Sequence, residues 1–242
     1  MKKNFIYGMH PVMEAIKSGK QIDKLFVQKG LQGDLFKELT VLLKQNDIQM
    51  KSVPVEKLNK LTRENHQGVA AFISPVQFAN LEAILEDEQV EKPYTFIVLD
   101  GITDTRNFGA ILRTAAAVST TAIIIPENNS APLNEDVVKT SAGGIFKVPI
   151  VKVKHLKDVL YLLKSYDVHL VSATEKTDKL VYNSDLKDSL AIIMGNEAKG
   201  IHRSILQLSD ERVKLPMSPH IDSLNVSVAC GVLLYEVVRQ RL

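Results

Sequence analysis

Three short polar segments of this 242-residue chain gather side chains that do chemistry. The run NFGAILR sets the amide Asn107 and the cation Arg113 six positions apart. That is too far for a direct i,i+4 helix pair and suits neighbouring groups once the chain turns. A capping Asn107 with a surface Arg113 is the plainer alternative. In MGNEAKG, Glu197 stands between Gly195 and Gly200. Glycines there allow tight turns and close backbone approach to a ligand, and the carboxylate either holds a cation or an arginine or is solvated. In LPMSPHIDSLNVSVA, Ser223 or Asn225 is a good N-cap for the apolar run that follows. Capping alone leaves the polar stretch 218–222 unexplained. The six histidines and the single cysteine, Cys230, show no metal-ligand spacing.

The elements that must position these groups follow from hydrophobic patterning. Strands are expected at 96–99, 122–125, 148–153, 169–172 and 190–194, with helices at 110–118, 156–165 and 226–239. Near-continuous apolar strands between helices predict an α/β domain, a mostly parallel sheet covered on both faces. Ligands on such sheets bind beyond the carboxyl ends of the strands. Two of the three polar segments directly follow a strand. A dinucleotide fingerprint needs G-x-G-x-x-G at the first such turn, and only Gly101 and Gly109 are there. A dinucleotide oxidoreductase is therefore disfavoured. The helix at 226–239 is apolar around most of its circumference, which predicts burial in a core or against another subunit.

The first 75 residues alternate helices at 10–18, 34–46 and 55–62 with strands at 24–27, 50–53 and 69–73, a small α/β domain in which Asp34 caps the second helix. Residues 76–93, centred on the acidic stretch LEAILEDEQVEK and closed by Pro93, are expected to be a linker to a domain spanning 94–242. Charge divides the same way. Residues 1–80 hold 12 Lys/Arg against 7 Asp/Glu, residues 81–92 one lysine against five acids, and residues 93–242 hold 17 against 16, within a net charge of +2. A modestly basic first domain suits nucleic acid, while on charge alone a solvated lysine-rich surface is the plainer reading. Hydrophobic residues make up 45% and charged residues 24%, enough to build a core without staples. Apolar runs such as 190–194 fall short of the roughly 20 residues of a membrane helix, and no secretory h-region follows the N-terminal lysines. With one cysteine, the expectation is a cytoplasmic protein with no membrane partner.

Together and in this order, NFGAILR at 107–113, MGNEAKG at 194–200 and LPM…SLNVSVA at 215–229 resemble the SpoU (TrmH-type) family of RNA ribose methyltransferases. IYGMHPVMEAI at 6–16 and HQGVAA at 66–71 look like that family's N-terminal substrate-binding domain. The subgroup most similar in layout methylates a guanosine 2′-hydroxyl of bacterial large-subunit ribosomal RNA. The resemblance implies a SPOUT-type sheet with a C-terminal trefoil knot that holds S-adenosylmethionine, no metal, an RNA partner and a homodimer. It implies catalytic roles for Asn107, Arg113, Glu197, Ser223 and Asn225, and cofactor contacts from Thr174, Gly195, Leu215 and Leu224. The third segment departs from the family in carrying Pro219 where glycine is usual, with His220 beside it, which bears on the shape of that loop.

The family's proposals make Arg113 the proton acceptor, yet a guanidinium stays protonated at ordinary pH. A phosphate clamp that also stabilises a developing alkoxide asks less of it, with Glu197 orienting the guanidinium and Ser223 and Asn225 bonding substrate. Residues 1–75 would select the RNA, whose 2′-hydroxyl sets it apart from DNA. The alternatives are a methyltransferase acting on transfer RNA or on a resistance site of ribosomal RNA, and a non-catalytic RNA-binding assembly factor. Transfer-RNA relatives generally lack the small first domain, and the presence of Arg113, Glu197 and Asn225 disfavours a non-catalytic chain.

Overall fold

A computed structural model describes residues 4–218, 220 and 223–242, which form two compact units. The first comprises residues up to 77 together with 132–135. Its elements are β1 (Phe5–Tyr7), α1 (Met9–Lys17), β2 (Ile22–Gln28), α2 (Asp34–Gln45), β3 (Met50–Val53), α3 (Val55–Leu61) and β4 (Val69–Ile73). The sheet runs β1-β4-β2-β3, with only the β2–β3 pair parallel. Side chains alternate across it. Leu25, Val27, Val69 and Ala71 meet Val12, Met13, Leu39 and Leu43 of α1 and α2, while Phe26, Ala70 and Phe72 pack with Val53 and with Leu58 of α3 on the other face. The edge strand β1, absent from the sequence reading, is three residues long and too short to show a period. Asp34 does not cap α2: it is the first helical residue, held to Lys37 at 2.9 Å, and Gly33 precedes it with a φ of 122°.

The second unit contains α4 (Leu81–Glu86), β5 (Thr95–Asp100), α5 (Thr105–Ala117), β6 (Ala122–Pro126), α6 (Glu135–Thr140), β7 (Ile150–Val153), α7 (Leu156–Ser165), β8 (His169–Ala173), β9 (Leu190–Gly195), α8 (Arg203–Leu206), β10 (Glu211–Val213) and α9 (Val226–Arg241). Its six-stranded sheet has the order β10-β8-β9-β5-β6-β7 and every pairing is parallel, as the apolar strands predicted. The chain builds outward from β5 through β6 to β7, then returns on the other side. β5 and β9 therefore lie side by side at the switch in direction, with Asp100 opposite Gly195 at their carboxyl ends. An open parallel sheet offers its ligand crevice at such a point.

Several boundaries differ from expectation, and away from the polar segments three have identifiable reasons. β7 starts at Ile150 rather than at 148, because Pro149 has no N–H to donate to the ladder. The stretch expected as a linker carries α4, which Asn80 caps by accepting the Ala83 N–H at 3.0 Å. Leu81 and Leu85, one turn apart, are buried in the second unit's core, and the acids occupy the remaining faces. α9 runs two residues beyond expectation, to Arg241. That guanidinium donates to the Thr95 hydroxyl at 2.6 Å and the Asp188 carbonyl at 2.6 Å, which holds the final turn against fraying. Among the described residues no helix is long and apolar enough to cross a membrane.

Candidate active site

The first wall of the site is the start of α5. Sequence patterning put this helix at residue 110, yet it begins at Thr105 because Asp104 caps it, accepting the Arg106 N–H at 2.9 Å and the Asn107 N–H at 2.8 Å. With Asp104 in that role, the side chain of Asn107 is released from capping. Gly109 lets the helix press on the end of α6, where a Cβ would come within 2.6 Å of the Thr140 side chain.

The second wall is the turn after β9. Asn196 and Gly200 exchange backbone hydrogen bonds of 3.2 and 2.7 Å, and Gly200 takes the left-handed φ of 68° that this reversal needs. The glycine at 195 serves a closer purpose than the ligand approach expected of it, since any Cβ there would overlap the backbone of Gly200 and Ile201. Asn196 locks the turn twice. Its Oδ1 accepts the N–H groups of Ala198 and Lys199, and its Nδ2 reaches the Gly101 carbonyl at 2.9 Å after β5. Glu197 is thereby held out at the turn's tip.

The third wall is the segment entering α9. Of the two candidate caps, Asn225 is the one used: its Oδ1 accepts the Ser227 N–H at 2.9 Å and the Val228 N–H at 3.4 Å. Ser223 is exposed just before it. The departure at Pro219 and the polar position Asp222 lie outside the described residues, while His220 is exposed and donates its N–H to the Ser218 hydroxyl at 3.3 Å.

One chain of hydrogen bonds ties the three walls together. Asn225 Nδ2 donates to Asn107 Oδ1 at 2.9 Å, and Asn107 Nδ2 donates to Glu197 Oε1. Residues 90 and 118 positions away from Asn107 thus meet on its amide. These three groups line a cavity of about 1110 Å³ together with Ser223, Thr174, Gly195, Leu215 and Leu224. The apolar side chains of Met194, Val213 and Leu233 complete its floor. Glu197 keeps one carboxylate oxygen without a hydrogen bond among the described residues. Burial pushes the Cys230 thiol in α9 up to about 12, so it remains protonated and is no nucleophile. Among the described residues no group of three His, Cys, Asp or Glu side chains suits a metal ion.

Arg113 is the sequence-predicted residue that the structure does not bring to this cavity. Six residues along α5 turn it about 240° from Asn107, to an exposed position with no hydrogen bond or ion pair among the described residues. Glu197 consequently bonds Asn107 and does not orient Arg113 as expected. The cavity's arginine is instead Arg106, which sequence reasoning passed over, as it did Asp104 and Asn196. Asp104 carried a usable signal, an Asp three residues ahead of Asn107 just after an apolar strand, the place for an N-cap.

Comparison with known proteins agrees along the whole chain. Residues 94–235 match the SpoU rRNA methylase family, and residues 5–79 match the substrate-binding domain of RNA 2′-O ribose methyltransferases. A protein of Staphylococcus epidermidis assigned to the TrmH family of tRNA/rRNA methyltransferases is 37% identical over 100% of this chain and 97% of its own length. A Staphylococcus saprophyticus counterpart is 35% identical over 100% and 97%. Among solved structures, the SpoU methyltransferase AviRb of Streptomyces viridochromogenes in complex with AdoMet has a TM-score of 0.63 at 24% identity, covering 98% of this chain and 90% of that one. A TrmH/SpoU tRNA-modifying enzyme of A. aeolicus has a TM-score of 0.57 at 28% identity and covers 66% of this chain and 80% of its own.

Proposed function

This chain belongs to the SpoU rRNA methylase family and is an S-adenosylmethionine-dependent RNA methyltransferase, and from that premise we propose that it methylates a ribose 2′-hydroxyl, on a guanosine of large-subunit ribosomal RNA, in the cytoplasm. The observation that carries this reading is the Asn225–Asn107–Glu197 bridge on the cavity wall at the carboxyl ends of β5 and β9. Residues 1–75 are the RNA-binding domain in this reading and 94–242 the catalytic one. The first unit also argues for ribosomal over transfer RNA. The tRNA-modifying structure covers 66% of this chain, and residues 5–79 match the substrate-binding domain of RNA 2′-O ribose methyltransferases.

The cavity fits the methyl donor in size and lining. Its volume lies slightly above the usual range of about 300–1,000 Å³ for small-molecule sites, Met194, Val213 and Leu233 give it an apolar lining, and Gly195 and the turn after β9 border it. Thr174, Gly195, Leu215 and Leu224 would hold the donor, which when bound supplies an electrophilic methyl carbon. The protein's own task is to align the ribose oxygen, exclude water and accept the hydroxyl proton. Glu197 is suited to the last role, with one oxygen fixed by Asn107 and the other open. Asn107 and Asn225 hold that carboxylate rigid, and Ser223 adds a hydroxyl at the cavity mouth.

Arg113 joins this reading through a homodimer. Its neighbours on α5, Ala110 and Thr114, line a groove against α9 in which Val228 and Tyr235 are 52% and 56% exposed, an apolar face that a second copy would cover, bringing Arg113 to an RNA phosphate. The family's trefoil knot, formed by the segment leading into α9, belongs to the same reading. The test maps ribose methylation across total ribosomal RNA from cells with and without the chain. Loss of one large-subunit guanosine methyl, restored by the wild type and not by Glu197→Gln, is the expected result. An unchanged ribosomal map with a changed transfer-RNA map would overturn the substrate.

A further inference from the structure

The cavity mouth carries more positive charge than the Asn107–Glu197–Asn225 machinery accounts for. Its basic side chains are Arg106, Lys176, Lys199 and Lys214. Two of them are spoken for: Lys214 pairs with Asp178 at 3.2 Å and Lys176 lies 4.0 Å from Glu175. Arg106 and Lys199 are exposed, and neither side chain has a hydrogen bond or ion pair among the described residues. Each directly flanks the bridge. Arg106 is the residue before Asn107, and Lys199 stands two residues after Glu197 in the turn that Asn196 locks.

The placement of Arg106 is the more telling. It lies in the first turn of α5, where the aligned peptide dipoles disfavour a cation and where the Asp104 carboxylate is already spent on capping the Arg106 and Asn107 N–H groups. A side chain that gains no partner there and opposes the helix dipole does nothing for the fold. It lines the cavity without a partner of its own among the described residues, and a guanidinium is the group that holds a phosphate with two parallel hydrogen bonds.

We infer that Arg106 and Lys199 are the residues of this cavity that grip RNA backbone phosphates next to the target ribose, one from each side of the Asn107–Glu197 pair. This inference rests on the proposed function and deepens it. Within a single chain the two cations supply the phosphate contact that Arg113 does not provide at this cavity, and being electrostatic the contact is independent of base identity.

The test compares the wild type with Arg106→Gln, Lys199→Gln and Lys157→Gln, the last a matched loss of one charge on the exposed side of α7. The substrate is total RNA from cells lacking this chain. Methyl incorporation is followed at several salt concentrations, and S-adenosylmethionine binding is measured by calorimetry. We expect Arg106→Gln to lower kcat/KM for RNA roughly tenfold to a hundredfold, the worth of a charged hydrogen bond, and Lys199→Gln somewhat less. Each should shallow the log–log salt dependence by about 0.7, the value for one single-strand phosphate. Cofactor affinity and melting temperature should match the wild type, and Lys157→Gln should change nothing. Activity within twofold of wild type for Arg106→Gln, or a loss confined to cofactor affinity, overturns the inference while leaving the proposed function standing. A wild type that labels no RNA overturns both.

Discussion

At Asn107 a single amide separates stability from activity. Capping of α5 belongs to Asp104, and the Asn107 side chain spends both its ends on the bridge to Glu197 and Asn225. Asn107→Ala should therefore leave thermal stability nearly untouched and lower methyl transfer about a hundredfold or more, the scale of a group that positions a proton acceptor. Asp104→Ala should do the reverse in part, costing about 1 kcal/mol of stability for a lost cap as read by denaturant titration. Equal destabilisation by the two variants would contradict this division. Asn225 cannot be separated this way, because the same side chain caps α9 and completes the bridge.

At the scale of elements, the turn after β9 and the β8–β10 edge set two further expectations. Gly195→Ala would drive a methyl group into the backbone of Gly200 and Ile201, so the Asn196–Gly200 pairing must open. A folded variant with S-adenosylmethionine affinity reduced at least tenfold is the expected calorimetric result, and unchanged affinity would show that the turn's shape is not needed. At the opposite, amino-terminal ends of β8 and β10, partial burial alone would raise the carboxyl of Glu211. Hydrogen bonds from Lys179, Ser184 and His169 outweigh that burial, so its pKa falls below the ordinary value. Asp210 behaves alike: burial raises it, and Lys164, the Leu170 N–H and His169 more than compensate. A carboxylate depressed in the folded state contributes stability above its unfolded pKa, roughly 4, and withdraws it as the pH falls through the folded value. Glu211→Gln should thus melt below the wild type at pH 7, with the gap closing toward pH 3. A gap of constant size would mean the charge is not what matters.

For the whole molecule the question is division of labour between units and between copies. The second unit has its own extensive core and contains every wall of the cavity. Deleting residues 1–75 should abolish methylation of the specific ribosomal target while calorimetry still detects cofactor binding. Undiminished methylation of that RNA would refute the assignment of selection to the first unit. If Arg113 serves a second copy across the α5–α9 face, Arg113→Ala and Asn107→Ala chains, each inactive alone, should regain part of the wild-type rate when unfolded and refolded together. No recovery, with mixed dimers confirmed by mass, would return Arg113 to a role within its own chain.

The sequence by itself determined the α/β class, the central strands and most helices, because burial leaves a pattern that survives in the order of residues: continuous apolar runs for β4, β5, β6 and β9, and a helix-period apolar stripe for α2. It also marked the three polar segments that form the site. Where patterning was weak it failed for physical reasons. The strands β1 and β10 are three residues each, and the acids around α4 masked a helix whose buried residues, Leu81 and Leu85, are few. Tertiary structure alone decided which groups meet. Nothing in spacing foretells that Asn107 bonds residues 90 and 118 positions away, or that the cavity forms on the side of α5 that carries Arg106 and not Arg113. Those outcomes depend on strand order, which places β9 beside β5, and the order of a sheet is settled only when the whole chain packs.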